Sequence, residues 1–205
     1  LLYHSSMNDV AESDNSDLFR INKKTFLLSS CEFIDSPNQD DRPKECKPEI
    51  IVIHGISLPP GVFGGNYIRN LFLNTLDQNK HHYFKKIGQM RVSAHLLINR
   101  KGVITQFVPF DKRAWHAGKS EFKGKNNCND FSIGIELEGE DCTIYEDMQY
   151  IKLAKTLNAL FDFYPHISPR DVVAHSDIAP LRKTDPGPAF DWCKLYDHLI
   201  EDKLR

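Results

Sequence analysis

The chain has 205 residues, 40 % hydrophobic and 26 % charged, which suits one soluble globular domain and leaves too little chain for a second full core. Its 26 basic and 28 acidic residues give a formal net charge of -2 and lie interspersed, so nothing electrostatic points to nucleic acid. The longest apolar runs, such as Ile50–Ile53, fall far short of the roughly 20 residues of a membrane-spanning helix.

Residues 1–25 are expected to form a mobile N-terminal extension, because the first 20 or so offer no periodic apolar face and Asn8–Asp17 is polar and acidic. No basic start leads into an apolar core, so no secretory signal is expected and the cytoplasm is the predicted location. Met7 is an alternative start to Leu1. The five cysteines, Cys31, Cys46, Cys128, Cys142 and Cys193, are odd in number, widely spread and free of any Cys-x-x-Cys pair. They predict reduced thiols rather than a zinc finger or a secreted disulfide framework.

The domain is expected over 26–205. Residues 34–48, with Pro37, Pro43 and Pro48, predict a loop. Glu49–His54 is a short apolar run suited to a strand in a central sheet. Ile68, Leu71, Phe72 and Leu76 follow helical spacing after Asn66, a candidate N-cap. Ala94–Asn99 and Val103–Val108 flank Arg100-Lys101-Gly102 and predict a hairpin. Phe131–Glu138 alternates, with Phe131, Ile133, Ile135 and Leu137 on one face and Ser132, Gly134, Glu136 and Glu138 on the other. Met148, Ile151, Ala154, Leu157 and Leu160 make a longer helical stripe that must stop near Tyr164, because Pro165 follows. Val172–His175 is a further short strand, and Trp192, Leu195, Tyr196 and Leu199 give a C-terminal helix. The predicted fold is α+β, one domain with a mixed central sheet flanked by helices.

Of the nine histidines, His4, His81, His82, His166 and His198 are expected at the surface. His54 differs, because it ends an apolar strand and precedes the rigid loop Leu58-Pro59-Pro60-Gly61. His175 closes Val172-Val173-Ala174, and Asp185 sits ten residues on, among Pro186, Gly187 and Pro188. Two imidazoles and a carboxylate suit Zn²⁺ and leave its fourth position open. By spacing alone the set is one choice among many, for there is no His-Glu-x-x-His motif. Glu136 and Glu138 fit either a solvated strand face or, for Glu136, a base acting on metal-activated water. Lys183 fits either a surface lysine or a cation placed over a tetrahedral oxyanion.

Five runs together carry a resemblance. They are Ile53-His54-Gly55-Ile56-Ser57-Leu58-Pro59-Pro60-Gly61, Arg91-Val92-Ser93-Ala94-His95, Phe110-Asp111-Lys112-Arg113-Ala114-Trp115-His116-Ala117-Gly118, Asn129–Gly139, and Ala174–Pro180 continuing through Lys183–Pro188. Over roughly residues 26 to 200 the chain resembles the 1,6-anhydro-N-acetylmuramoyl-L-alanine amidases of Gram-negative bacteria, the AmpD type. These belong to the zinc amidase group that includes phage T7 lysozyme and the peptidoglycan recognition proteins. The resemblance implies a T7 lysozyme-like fold and one zinc per chain, held by His54, His175 and Asp185. It also implies Glu136 as proton acceptor and Lys183 as transition-state cation. The implied reaction is cleavage of the amide between (1,6-anhydro-)N-acetylmuramic acid and L-alanine in cytoplasmic muropeptides, for cell-wall recycling. Trp115 and His116 are then expected to line the sugar or peptide groove, and Arg91 to meet a substrate carboxylate. No protein, nucleic-acid or membrane partner is expected. The chain departs from the family at Gly55, where asparagine is common, and at Asn127, where arginine is common. The alternatives are a muropeptide-binding module without catalysis and a zinc hydrolase of another N-acyl amide.

Overall fold

The structure is a computed structural model that describes residues 19–204. In chain order it runs β1 (Glu32–Phe33), β2 (Gln39–Asp41), β3 (Ile50–Ile56), α1 (Tyr67–Phe72), α2 (Phe84–Ile87), β4 (Leu96–Ile98), β5 (Ile104–Gln106), β6 (Lys112–Ala114), β7 (Glu121–Phe122) and β8 (Lys125–Asn126). It continues with β9 (Ser132–Glu138), α3 (Asp147–Phe163), β10 (Val172–Ala174), α4 (His175–Ile178) and α5 (Trp192–Lys203). Six strands make one mixed sheet in the order β1-β5-β4-β9-β3-β10. Within it β4 and β5 pair antiparallel, while β4, β9, β3 and β10 run parallel. The β4–β5 turn closes as its residues predict: Asn99 Oδ1 accepts from the amides of Lys101 and Val103, and Gly102 takes a φ of 77°.

Helices cover one face of the sheet. Ile51, Ile53, Ile133, Ile135 and Leu137 pack against Leu153, Leu157 and Leu160 of α3 and Leu195 and Leu199 of α5 in the main core. Each such buried leucine contributes about 1.5–3 kcal/mol through removal from water. Residue Glu146 caps α3 through a reciprocal box with Gln149, whose side-chain amide also donates to the carbonyls of Ile98 and Glu138 and so ties the helix to the sheet. The helix stops at Tyr164, ahead of Pro165, as expected. Strand parity puts Ile50, Val52 and His54 on the opposite face, where Ala117, Cys128, Phe131 and Ile178 pack on Ile50 and Val52. No described helix is long and apolar enough to cross a membrane.

Five expectations need correction, the first being that Phe131, expected to share a face with Ile133, precedes β9 and packs on the opposite face with Ile50 and Val52. The Ser132–Glu138 strand is buried along its whole length, so its polar face is not solvated; β9 is a central strand, and His116 lies against Ser132 and Gly134 on that face. Asn66 stands at the start of α1, but its side chain makes no capping bond, and the helix ends at Phe72, leaving Leu76 buried in the turn beyond. The expected loop 34–48 contains β2, which pairs with β6. Residues 19–25, expected in the extension, pack on the domain: Ile21 is buried and bridges to Leu28, and Phe19 lies against the main core. The rest of the expected extension, residues 1–18 with His4 and Met7, lies outside the described residues.

Candidate active site

Three adjacent parallel strands deliver the chemistry at their C-terminal ends, where open sheets of this kind bind ligands. In register His54 of β3 lies directly beside Glu136 of β9, and Ala174 of β10 lies beside Ile53. The next residue, His175, opens α4 and so brings a second imidazole to the same sheet edge. Asp185 arrives on the loop after α4, and its carbonyl accepts from the Ser176 amide at 3.1 Å. Tyr145, fully buried, donates its hydroxyl to the carbonyl of Pro186, one residue beyond Asp185, at 2.9 Å.

Among the described residues, His54, His175 and Asp185 form a group able to hold a metal ion. His54 Nδ1 stands 2.9 Å from His175 Nδ1, and Asp185 Oδ2 lies 3.2 Å from the first and 3.0 Å from the second. The opposite nitrogen of each ring is already engaged, His54 Nε2 with His116 Nδ1 at 2.8 Å and His175 Nε2 with the Ala117 carbonyl at 3.3 Å. Only an N–H can face a carbonyl, so neutral His175 turns an Nδ1 lone pair toward the other donors. Lone pairs and a carboxylate oxygen this close repel one another unless a cation lies among them, and the set suits zinc with an open position. Burial pushes His54 down to about 4, so the ring is neutral at pH 7, the form that binds metal. Burial alone would raise Asp185, but the adjoining His175 and His54 rings outweigh it and hold the carboxyl well below the usual range.

Glu136 Oε1 lies 3.9 Å from His54 Nδ1, while its Oε2 is buried without a hydrogen-bond partner among the described residues. Burial, reinforced by Asp185 and opposed by Lys183, raises the Glu136 carboxyl well above its ordinary value. The group is therefore primed to hold a proton. These residues sit in a cleft of about 680 Å³. Its lining includes the charged Arg182, Lys183, Glu140 and Asp141 and the largely apolar Leu58, Leu71, Phe72, Tyr83, Ile87 and Trp115.

The predicted site residues are distributed unevenly. His54, His175, Asp185, Glu136, Lys183, Trp115 and His116 all line the cleft. Arg91 does not: it is exposed, and its guanidinium donates to the Gln89 carbonyl at 3.5 Å. Trp115 is pinned by donating Nε1–H to Asp40 Oδ1 at 3.1 Å. Glu138 serves the scaffold, accepting from the amides of Gly64 and Arg100. Gly55 lines the cleft, and a Cβ there would stand 2.3 Å from the Tyr145 hydroxyl, so that hydroxyl fills the space a side chain would need. Asn127 is exposed outside the cleft, in a left-handed turn with φ 59°. Sequence reasoning missed Tyr145, whose contact with Pro186 spans 41 positions and leaves no local pattern.

Comparison with known proteins agrees with this geometry. The family model for N-acetylmuramoyl-L-alanine amidase matches residues 44–188, a span that holds every proposed ligand together with Glu136 and Lys183. The chain is 56 % identical over 162 residues to the 1,6-anhydro-N-acetylmuramyl-L-alanine amidase AmpD of Escherichia coli, covering 79 % of this chain and 88 % of that protein. A crystal structure of AmpD superposes with a TM-score of 0.83 at 52 % identity, covering 85 % of this chain and 97 % of that one. The E. coli amidase AmiD, in complex with the substrate anhydro-N-acetylmuramic acid-L-Ala-D-gamma-Glu-L-Lys, gives a TM-score of 0.53 at 31 % identity, over 77 % of this chain and 60 % of that one.

Proposed function

This chain belongs to the N-acetylmuramoyl-L-alanine amidase family, and from that membership we propose that it hydrolyses the amide between 1,6-anhydro-N-acetylmuramic acid and L-alanine in soluble muropeptides. The observation that carries the reading is the convergence of His54, His175 and Asp185 in the cleft beside Glu136, whose buried Oε2 has no hydrogen-bond partner among the described residues. The names of its relatives support the substrate class. Cell-wall recycling in the cytoplasm is the proposed setting, and five free thiols support a reducing compartment.

His54, His175 and Asp185 would hold one zinc ion. When bound, zinc supplies Lewis-acid polarisation of the scissile carbonyl and acidifies the attacking water. Glu136 takes the proton from that water as its oxygen attacks the carbonyl carbon, and returns it to the amine as the C–N bond breaks. The raised affinity of Glu136 for a proton suits both halves of that transfer. Lys183, whose charge acts on both Glu136 and His54, provides the cation for the developing oxyanion. Trp115 and the apolar side chains of the cleft lining hold the sugar or peptide and exclude water.

The test is product analysis by mass spectrometry on purified anhydro-muropeptide and on intact sacculi. The reading predicts free anhydro-N-acetylmuramic acid and a peptide with an L-alanine N-terminus, with sacculi cut far more slowly. Binding without cleavage would identify a recognition module instead. Turnover confined to other N-acyl amides would move the substrate class.

A further inference from the structure

We propose that His116 is a positioning residue for the metal centre: by accepting the Nε2–H of His54 it fixes the tautomer whose Nδ1 lone pair faces His175 and Asp185, where a metal would be held. The inference rests on the zinc reading above and adds to it a side chain that the sequence assigned to the substrate groove. His116 uses both ring nitrogens within the protein, Nδ1 toward His54 Nε2 at 2.8 Å and Nε2 toward Ser132 Oγ at 3.0 Å. Only one direction of this chain leaves His54 Nδ1 unprotonated. In it, His54 donates to His116, and His116 donates to Ser132. The reverse direction puts a proton on His54 Nδ1 and closes it to metal.

The ring is placed for that task. The amides of His116 and Ala117 both donate to Asn129 Oδ1, at 3.1 and 2.8 Å, which fixes the backbone. The imidazole then lies over Gly134 of β9, where a Cβ would stand 2.4 Å from His116 Cγ. Glycine at that position is the space in which the ring sits. The ring meets His54 edge-on, with centroids 5.0 Å apart and planes at 87°.

Two variants separate this role from a groove role. His116→Phe keeps a ring but removes the acceptor, whereas His116→Asn retains an oxygen near the Nδ1 position. Zinc dissociation constants would be measured by competition with a chromophoric chelator on the full chain. Wild-type tautomers would be read from long-range ¹H–¹⁵N spectra of the zinc-loaded protein. The expected results are a 10- to 100-fold weaker zinc affinity for His116→Phe, the usual worth of such a partner, and near-wild-type affinity for His116→Asn. The spectrum should show His54 protonated at Nε2 and His116 protonated only at Nε2. Unchanged zinc affinity in His116→Phe with a raised KM would return the residue to the substrate groove. Equal losses in both variants, or a protonated His116 Nδ1 in the wild-type spectrum, would also overturn the assignment, and the spectrum decides the matter even if a variant fails to fold. A wild-type chain that bound no zinc would instead defeat the metal reading itself.

Discussion

Replacing Glu136 with glutamine separates catalysis from binding. The side chain keeps its size but cannot accept a proton at neutral pH. Loss of a positioned base slows a reaction by about 10²- to 10⁴-fold, or about 3–5 kcal/mol on the barrier. Zinc should remain, because the donors at His54, His175 and Asp185 are untouched and Glu136 lies 3.9 Å from the His54 donor atom. Stability supplies a second readout. In the metal-free chain burial raises Glu136, so between its ordinary value and the raised one the native state holds a proton that the unfolded state has released. That contribution is present at low pH and is lost as pH rises, by up to roughly 1.4 kcal/mol per pH unit. Glutamine removes this slope. Metal-free Glu136→Gln should therefore gain on wild type in urea unfolding as pH climbs above 4.5. Single-turnover cleavage, elemental zinc and urea midpoints on the same preparations give the answer. Wild-type turnover would show that Glu136 is not the base, and loss of zinc would make it part of the metal site.

Lys183→Ala should lower kcat more than it weakens substrate binding, because its partner charge develops only in the transition state; a pure KM effect would place the lysine in ground-state binding. His175→Ala and Asp185→Ala should each lose zinc by elemental analysis while keeping the far-UV circular dichroism of the fold, and retained stoichiometric zinc would redraw the ligand set. His95 is fully buried, accepts from the Gly134 amide at Nδ1 and faces the Lys112 carbonyl with Nε2, and burial pushes it down to about 3. Its unfolded form therefore binds a proton first as pH falls below 6.5, and the stability it contributes declines by up to roughly 1.4 kcal/mol per unit toward that lower value. His95→Asn should flatten the fall in urea midpoint between pH 7 and 5, and an unchanged slope would refute the assignment.

What the sequence discloses follows from the range of each interaction. Alternation in Phe131–Glu138 and the helical stripe from Met148 to Leu160 are local, and β9 and α3 appear where those patterns lie. Parity shows which residues share a face but not what covers it. The face carrying Glu136 is therefore buried where a solvated surface was equally consistent with the pattern. Strands of two or three residues, such as β1 and β2, are too short to show a period. His54 and His175 stand out by ending apolar strands, but they meet through the parallel pairing of β3 and β10 across 121 positions, and Asp185 reaches them on the loop after α4. His116 is flagged by resemblance alone, and its contact with His54 depends on the room left at Gly134. Arg91 illustrates the reverse case, a residue within a matching run whose side chain lies outside the cleft.

The most direct test of the account is to titrate zinc into the metal-stripped chain while following cleavage of anhydro-muropeptide. Activity should be absent at the start, rise in proportion to bound zinc, and level off at a single ion per chain, as one cluster of His54, His175 and Asp185 requires. Full cleavage by the metal-free chain, unaltered by added zinc, would contradict it.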